Sequence, residues 1–219
     1  MIKGAIFDVD GVLLDSMGIW DDLGARYLRS LDKIPEEGLN KILFSMSMEQ
    51  GAEYLNEHYG LNKSVKETVE GIGRMLEDYY FYEVLLKPGA KEVLEFLKSK
   101  NIKMAAATSS PRTHIEKALS RNGLLGYIDK IYTTSEVGVS KHSPDIYNLA
   151  ADFLKTKSEE TLVFEDSLYA LKTAKEAGYV AVGVYDEKGE NNQAELENQA
   201  DLYLKKLDDF IVMSEKILD

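Results

Sequence analysis

The spacing of apolar residues changes twice along the chain. Residues 2–9 are a short apolar run that ends in Asp8 and Asp10, with Gly11 behind them. That is the pattern of a buried parallel strand followed by a turn. From Ser16 to about Tyr82 the period is helical. Leu28 and Leu31, then Leu39, Ile42 and Leu43, then Ala52, Leu55 and Tyr59 recur at three and four residues, punctuated by Pro35, Gly60 and Asn62. After Lys87-Pro88-Gly89 the rhythm alternates. It predicts a helix over 90–100, a strand over Ile102–Ala107, a helix over 112–122 and a strand over 130–134. Then come a helix over 143–156, a strand over 161–165, a helix over 167–177, a strand over 179–185 and a closing helix over Leu207–Leu218. Helices alternating with short apolar strands indicate a doubly wound parallel sheet.

One strand therefore stands alone, an all-helical block follows it, and the rest of an α/β sheet comes last. The economical reading is an α/β core (1–15 and 86–219) interrupted after its first strand by a helical cap (16–85). Composition narrows the picture. With 26 Lys and Arg against 38 Asp and Glu, the 219 residues carry a net charge of −12. This argues against a nucleic-acid or anionic-membrane surface, either of which needs a basic patch. No apolar run approaches the roughly 18–20 residues of a membrane span. The N-terminus runs straight into charged residues with no signal-peptide pattern, which reads as a cytoplasmic protein. The absence of cysteine excludes disulfide frameworks, thiolate zinc sites and cysteine nucleophiles. No coiled-coil heptad or obvious interface helix is visible, so a monomer is expected.

In doubly wound sheets, ligands bind at the carboxyl ends of the strands. Four predicted strand ends here carry polar residues: Asp8-Val9-Asp10, Thr108-Ser109-Ser110, Ser140-Lys141 and Glu165-Asp166-Ser167. Singly, each reads as a turn or helix cap. Jointly they bring several carboxylates to one edge of the sheet, where like charges repel unless a cation intervenes. Lysine supplies one charge. A hard divalent cation such as Mg²⁺, which takes oxygen ligands and keeps substrate phosphate, supplies more. Carboxylates, Mg²⁺, a hydroxyl and a lysine suit phosphoryl transfer.

In this order and spacing, Asp8-Val9-Asp10-Gly11-Val12, Thr108, Lys141 and Glu165-Asp166 resemble the four motifs of the haloacid dehalogenase-like (HAD) phosphohydrolase superfamily. The helical insert looks like the C1 cap of its subfamily I. Phe164-Glu165-Asp166-Ser167, with Ala170, Ala174 and Glu176-Ala177-Gly178, is similar to the β-phosphoglucomutase and sugar-phosphatase branch. The resemblance implies a Rossmann-like core and a Mg²⁺-dependent enzyme acting on a small phosphorylated metabolite. Asp8 would be the nucleophile, forming an aspartyl-phosphate, and Asp10 the general acid and base. Thr108 and Lys141 would contact the phosphoryl group, joined by Gly11, Ser109 and Ser110. Mg²⁺ would be held by Asp8, the Asp10 main-chain carbonyl and Asp166, with Glu165 near or ligating. The cap would move on hinges near Asp15-Ser16 and Leu86–Gly89.

Two readings of the activity follow: a sugar- or polyol-phosphate phosphatase, or β-phosphoglucomutase. A catalytically idle binding scaffold is a third. The mutases carry Gly-x-Ser-Arg in the cap, whose Arg grips the distal phosphate. The corresponding stretch here is Ser45-Met46-Ser47-Met48, and methionine cannot hold a dianion. Trp20 stands where a histidine is usual, and His142 where a proline is usual. These departures favour the phosphatase. Arg74 and Arg112 remain as cations that could replace the missing arginine. Trp20 and Ser47 are candidate substrate contacts. Trp20, Met46 and Met48 either line a pocket or pack the cap core, and Arg112 either meets substrate or faces solvent. His142 either tunes Lys141 or lies at the surface. Tyr79–Tyr82 either offers an aromatic sugar platform or packs the last cap helix at the hinge.

Overall fold

The computed structural model describes residues 1–43 and 46–218. They form two compact units, Met1–Met17 with Val84–Asp219, and Gly18–Glu83. Strand β1 (Gly4–Phe7) opens the first unit. The second unit then runs through helices α1 (Ile19–Ser30), α2 (Leu39–Leu43), α3 (Met48–Tyr59) and α4 (Val65–Asp78) to a π-helical turn at Tyr79–Glu83. The first unit resumes with α5 (Ala90–Ser99), β2 (Lys103–Thr108), α6 (Arg112–Arg121), β3 (Lys130–Thr133), α7 (Thr134–Val137) and α8 (Asp145–Leu154). It ends with β4 (Thr161–Glu165), α9 (Leu168–Glu176), β5 (Val180–Val184), α10 (Gln193–Gln199), β6 (Leu202–Leu204), α11 (Asp209–Met213) and α12 (Glu215–Leu218).

Among the described residues six strands form one all-parallel sheet, in the order β3-β2-β1-β4-β5-β6. Every residue of β1 and β4 is buried, because helices cover both faces of a central parallel strand. That is why Ala5–Phe7 and Leu162–Phe164 read as uninterrupted apolar runs. In the β1–β4 register Phe7 stands beside Phe164, and their rings stack 4.4 Å apart. On one face, the stripe Ile146, Tyr147, Ala150, Ala151 and Leu154 of α8 packs on Ile6, Ala105, Ala107 and Val163. The alanines of β2 admit the large Tyr147 side chain at close range. Truncating a core residue such as Leu154 to alanine would cost about 2–5 kcal/mol.

The second unit builds its helix starts from side chains. Ser47 begins α3 by accepting the Gln50 N–H, and Ser64 begins α4 by accepting the Glu67 N–H. In each case the glutamine or glutamate side chain answers by accepting the serine N–H. Each such cap contributes about 1 kcal/mol. The two segments that join the units pair with each other just inside the first unit. Leu14 bridges Leu86 antiparallel, Asp15 N–H donates to Leu85 O, and Lys87 N–H donates to Leu13 O, the last two at 3.0 Å.

Three features depart from the sequence pattern. The region after β5 holds a short helix, α10, and a sixth strand of only three residues, too brief for a period to register. Helix α7 is a single turn, capped by the Thr133 side chain accepting Glu136 N–H. The closing helix is two helices with Ser214 between them, and the Ser214 hydroxyl donates to Ile211 O. Such local hydrogen bonds compete with helix continuation.

Candidate active site

The sheet order reverses between β1 and β4, the switch point at which doubly wound folds bind ligands. Asp8 follows β1 directly, its N–H still donating to Phe164 O at 2.9 Å. Glu165 is the last residue of β4 and Asp166 the next. Adjacent parallel strands thus place the three carboxylates side by side, with an oxygen from each within 4.8 Å of the others. All three are buried.

Lys141 reaches this cluster from the loop after α7. Its ammonium, 2% exposed, donates to Asp8 Oδ1 at 2.7 Å and to Glu165 Oε1 at 2.8 Å. The Tyr147 hydroxyl donates to the same Glu165 oxygen at 2.7 Å. Burial alone would lower the Lys141 pKa, but the adjacent Asp8 and Glu165 carboxylates outweigh it and hold the ammonium charged. Burial pushes the Asp8 pKa well up; Lys141 opposes this, while Glu165, Asp166 and Asp10 add to it. Asp166 is pushed up to about 7, first by burial and then by Glu165. One lysine is too little positive charge for three crowded carboxylates.

Asp10 lies beyond the strand, where its side chain no longer has to follow the alternation of the sheet. Ser16 Oγ donates to one of its oxygens and Ser110 Oγ to the other, each at 2.6 Å. Ser110 belongs to the loop after β2, so β1 and β2 together orient this carboxyl group. Thr108 ends β2, fully buried, and its Oγ1 accepts the Ser110 N–H at 3.1 Å. Ser109 beside it is exposed. Gly11 adopts φ +74°, and a Cβ there would stand 2.2 Å from Asp166 Oδ2, so the turn requires glycine on both counts.

A divalent cation fits these residues. The donors are hard oxygens, and the second Glu165 oxygen, Oε2, is buried with no hydrogen-bond partner. A buried acceptor left unsatisfied costs free energy that a cation would recover.

The candidate residues of the second unit have the following surroundings within that unit. Ser47 caps α3, and its hydroxyl also donates to Glu49. Trp20 on α1 and Met48 on α3 are exposed and Met46 is half-buried, so Trp20 and Met48 do not pack the core of that unit. Ser45 lies outside the described residues. Tyr79 and Tyr80 are buried, while Tyr82 is exposed. Arg112 is engaged within the first unit. It grips Glu136 through Nε and Nη2 at 2.5 and 2.6 Å, Glu116 at 3.1 Å, and Ile131 O at 2.8 Å. His142 is exposed and stacks on the Tyr169 ring at 4.4 Å.

Sequence reasoning missed Tyr147, Lys87 and Asp186. Lys87 donates to the Gly11 carbonyl and to Asp186. Asp186 stands just past β5, so the strand-end rule that found the other carboxylates reaches it too. Tyr147 reads as one more apolar residue on the stripe of α8, and Lys87 as part of a loop boundary.

The family model for haloacid dehalogenase-like hydrolases matches residues 2–178, and the chain belongs to that family. A phosphorylated carbohydrates phosphatase of Thermotoga maritima is 33% identical over 181 residues, 81% of this chain and 82% of that one. A validoxylamine A 7'-phosphate phosphatase of Streptomyces hygroscopicus subsp. limoneus is 28% identical over 94% of this chain and 95% of its own. A solved structure from Thermotoga maritima, provisionally named a beta-phosphoglucomutase, superposes with a TM-score of 0.87 at 29% identity, covering 99% of this chain and all of the other.

Proposed function

We propose that the protein is a Mg²⁺-dependent phosphatase of small phosphorylated carbohydrates, working through an aspartyl-phosphate. The observation that carries this reading is the Asp8, Glu165 and Asp166 cluster around Lys141, with Asp10 held beside it by two hydroxyls. Phosphatase relatives of similar length support it. Asp8, Asp166 and the Asp10 carbonyl would hold Mg²⁺, with Glu165 adjoining; the ion, when bound, supplies charge stabilisation for the phosphoryl oxygens. Asp8 attacks phosphorus, the bond to the leaving oxygen breaks, and the Asp10 carboxyl gives that oxygen its proton. Water then attacks the aspartyl-phosphate, Asp10 takes its proton, and the phosphorus–Asp8 bond breaks to release inorganic phosphate. Lys141 keeps Asp8 aligned and offsets charge on the phosphoryl group, to which Thr108 offers a hydrogen bond.

The provisional name of the Thermotoga structure favours a second reading, a sugar-phosphate mutase. Against it stands the supply of arginine. Met48 cannot hold a second phosphate, and Arg112 is already bound by Glu136 and Glu116, which leaves of the two candidate arginines only the exposed Arg74 on α4. A panel of phosphorylated sugars and polyols, assayed for phosphate release with Mg²⁺, decides between them. Phosphate release by wild type and none by Asp8→Asn is expected. Conversion of β-glucose 1-phosphate to glucose 6-phosphate without phosphate release would establish the mutase. Wild type as inert as Asp8→Asn on every compound would overturn both.

A further inference from the structure

Lys87 lies on the segment that re-enters the first unit, immediately before Pro88-Gly89. Its side chain is 13% exposed and donates to the Gly11 carbonyl oxygen and to Asp186 Oδ2, the latter at 2.7 Å. Asp186 is 5% exposed, and its other oxygen accepts the Lys188 N–H at 2.8 Å. A buried ion pair returns little net stability, because desolvation offsets the attraction. Its place in the fold is therefore the more telling fact. The loop that Asp186 begins runs against Asp166, and a Cβ on Gly189 would stand 2.7 Å from Asp166 Oδ2. A Cβ on Gly11 would stand 2.2 Å from the same oxygen. Asp166 Oδ2 thus sits between two glycines on two loops, one following β1 and one following β5. Lys87 is hydrogen-bonded to both loops.

We propose that Lys87, fixed by Asp186, is a positioning residue that clamps these loops on Asp166 and so sets how tightly the carboxylate cluster holds a divalent cation. The proposal rests on reading that cluster as a cation site. The pair touches none of the three clustered carboxylates within hydrogen-bond distance. Lys87 and Asp186 act on the Asp166 charge with opposite signs, and a double variant that removes both charges together reads the geometric part. Groups that orient metal ligands in this way typically change metal affinity about 10–100-fold when removed.

The test uses the metal-free full chain and Mg²⁺ alone, with no substrate. Mg²⁺ affinity is measured by calorimetry for wild type, Lys87→Met, Lys87→Arg and the double variant Lys87→Met with Asp186→Asn. The double variant leaves no unpaired buried charge, so it carries the test if Lys87→Met fails to fold. Lys87→Met and the double variant are expected to bind Mg²⁺ about 10-fold more weakly or worse, with Lys87→Arg closer to wild type. Hydrogen exchange of the metal-free protein should quicken at the Leu13 and Leu14 amides, which close the turn behind Gly11. Wild-type Mg²⁺ affinity in the double variant overturns the proposal, even if the variant melts earlier. Wild type that takes no Mg²⁺ overturns the cation reading as well, so the two failures are told apart.

Discussion

Asp10 has both carboxyl oxygens held by hydroxyls, from Ser16 on its own loop and Ser110 on the loop after β2. In the proposed reaction Asp10 first gives and then takes a proton, and a carboxyl group fixed from two sides suits that exchange. Asp10→Ala is expected to lower kcat about 10²–10⁴-fold, the usual worth of general acid–base catalysis. It should leave Mg²⁺ affinity near wild type, since only the main-chain carbonyl of Asp10 is assigned to the ion. Steady-state kinetics with a parallel Mg²⁺ titration checks both. Asp8, Asp10, Thr108, Glu165 and Asp166 are legible in the sequence because each sits at or just beyond the end of an apolar run, and Lys141 because it lies in the loop that follows one. Trp20 and Ser47 are candidate substrate contacts on the motif resemblance alone. In the structure Ser47 has the local task of capping α3, a role that the Ser-x-x-Gln spacing itself displays.

Among the elements, the link between α6 and α7 carries a pH-dependent term. Arg112 at the start of α6 holds Glu136 on α7 by two hydrogen bonds, and this lowers the Glu136 pKa to about 2. A carboxylate whose folded pKa is depressed adds stability above its unfolded value, near 4.5, and loses it as pH falls toward 2. Glu136 is 45% exposed at its side chain, so solvent screening limits the pair to roughly 0.5–1 kcal/mol. Glu136→Gln should therefore unfold at lower urea than wild type near neutral pH, with the gap closing as pH approaches 2. Urea titrations at several pH values read this directly. The pairing also withdraws Arg112 from the cations open to a second phosphate. The sequence left Arg112 undecided because its acceptors lie 4, 19 and 24 residues away, and only the β2–β3 pairing brings the farther two within reach.

For the whole molecule, the net charge of −12 has a distribution that matters more than its total. Residues 17–83 carry thirteen Asp and Glu against seven Lys and Arg, so that unit is poor in cations for gripping a dianion. The buried cluster concentrates further negative charge around Lys141. A ligand that binds the folded state alone stabilises it by about 2.7 kcal/mol at 100 times its Kd. For a chain of this length that corresponds to a rise in Tm of roughly 5–11 °C. Saturating Mg²⁺ is expected to raise Tm within that range and excess EDTA to reverse it, as differential scanning calorimetry will show. Two levels of information meet in these results. The sequence by itself determined the alternation of strands and helices, the helical block set between the first strand and the rest, and the polar residues at the strand ends. All of these are local, since a period of two or of 3.6 is written in neighbouring residues. The tertiary structure alone decided which of those residues meet. Lys87 finds Asp186 across 99 positions, and Glu165 is held by both Lys141 and Tyr147. Those encounters follow from the strand order β2-β1-β4-β5, which no local period encodes, and from burial that obliges each polar group to find a partner.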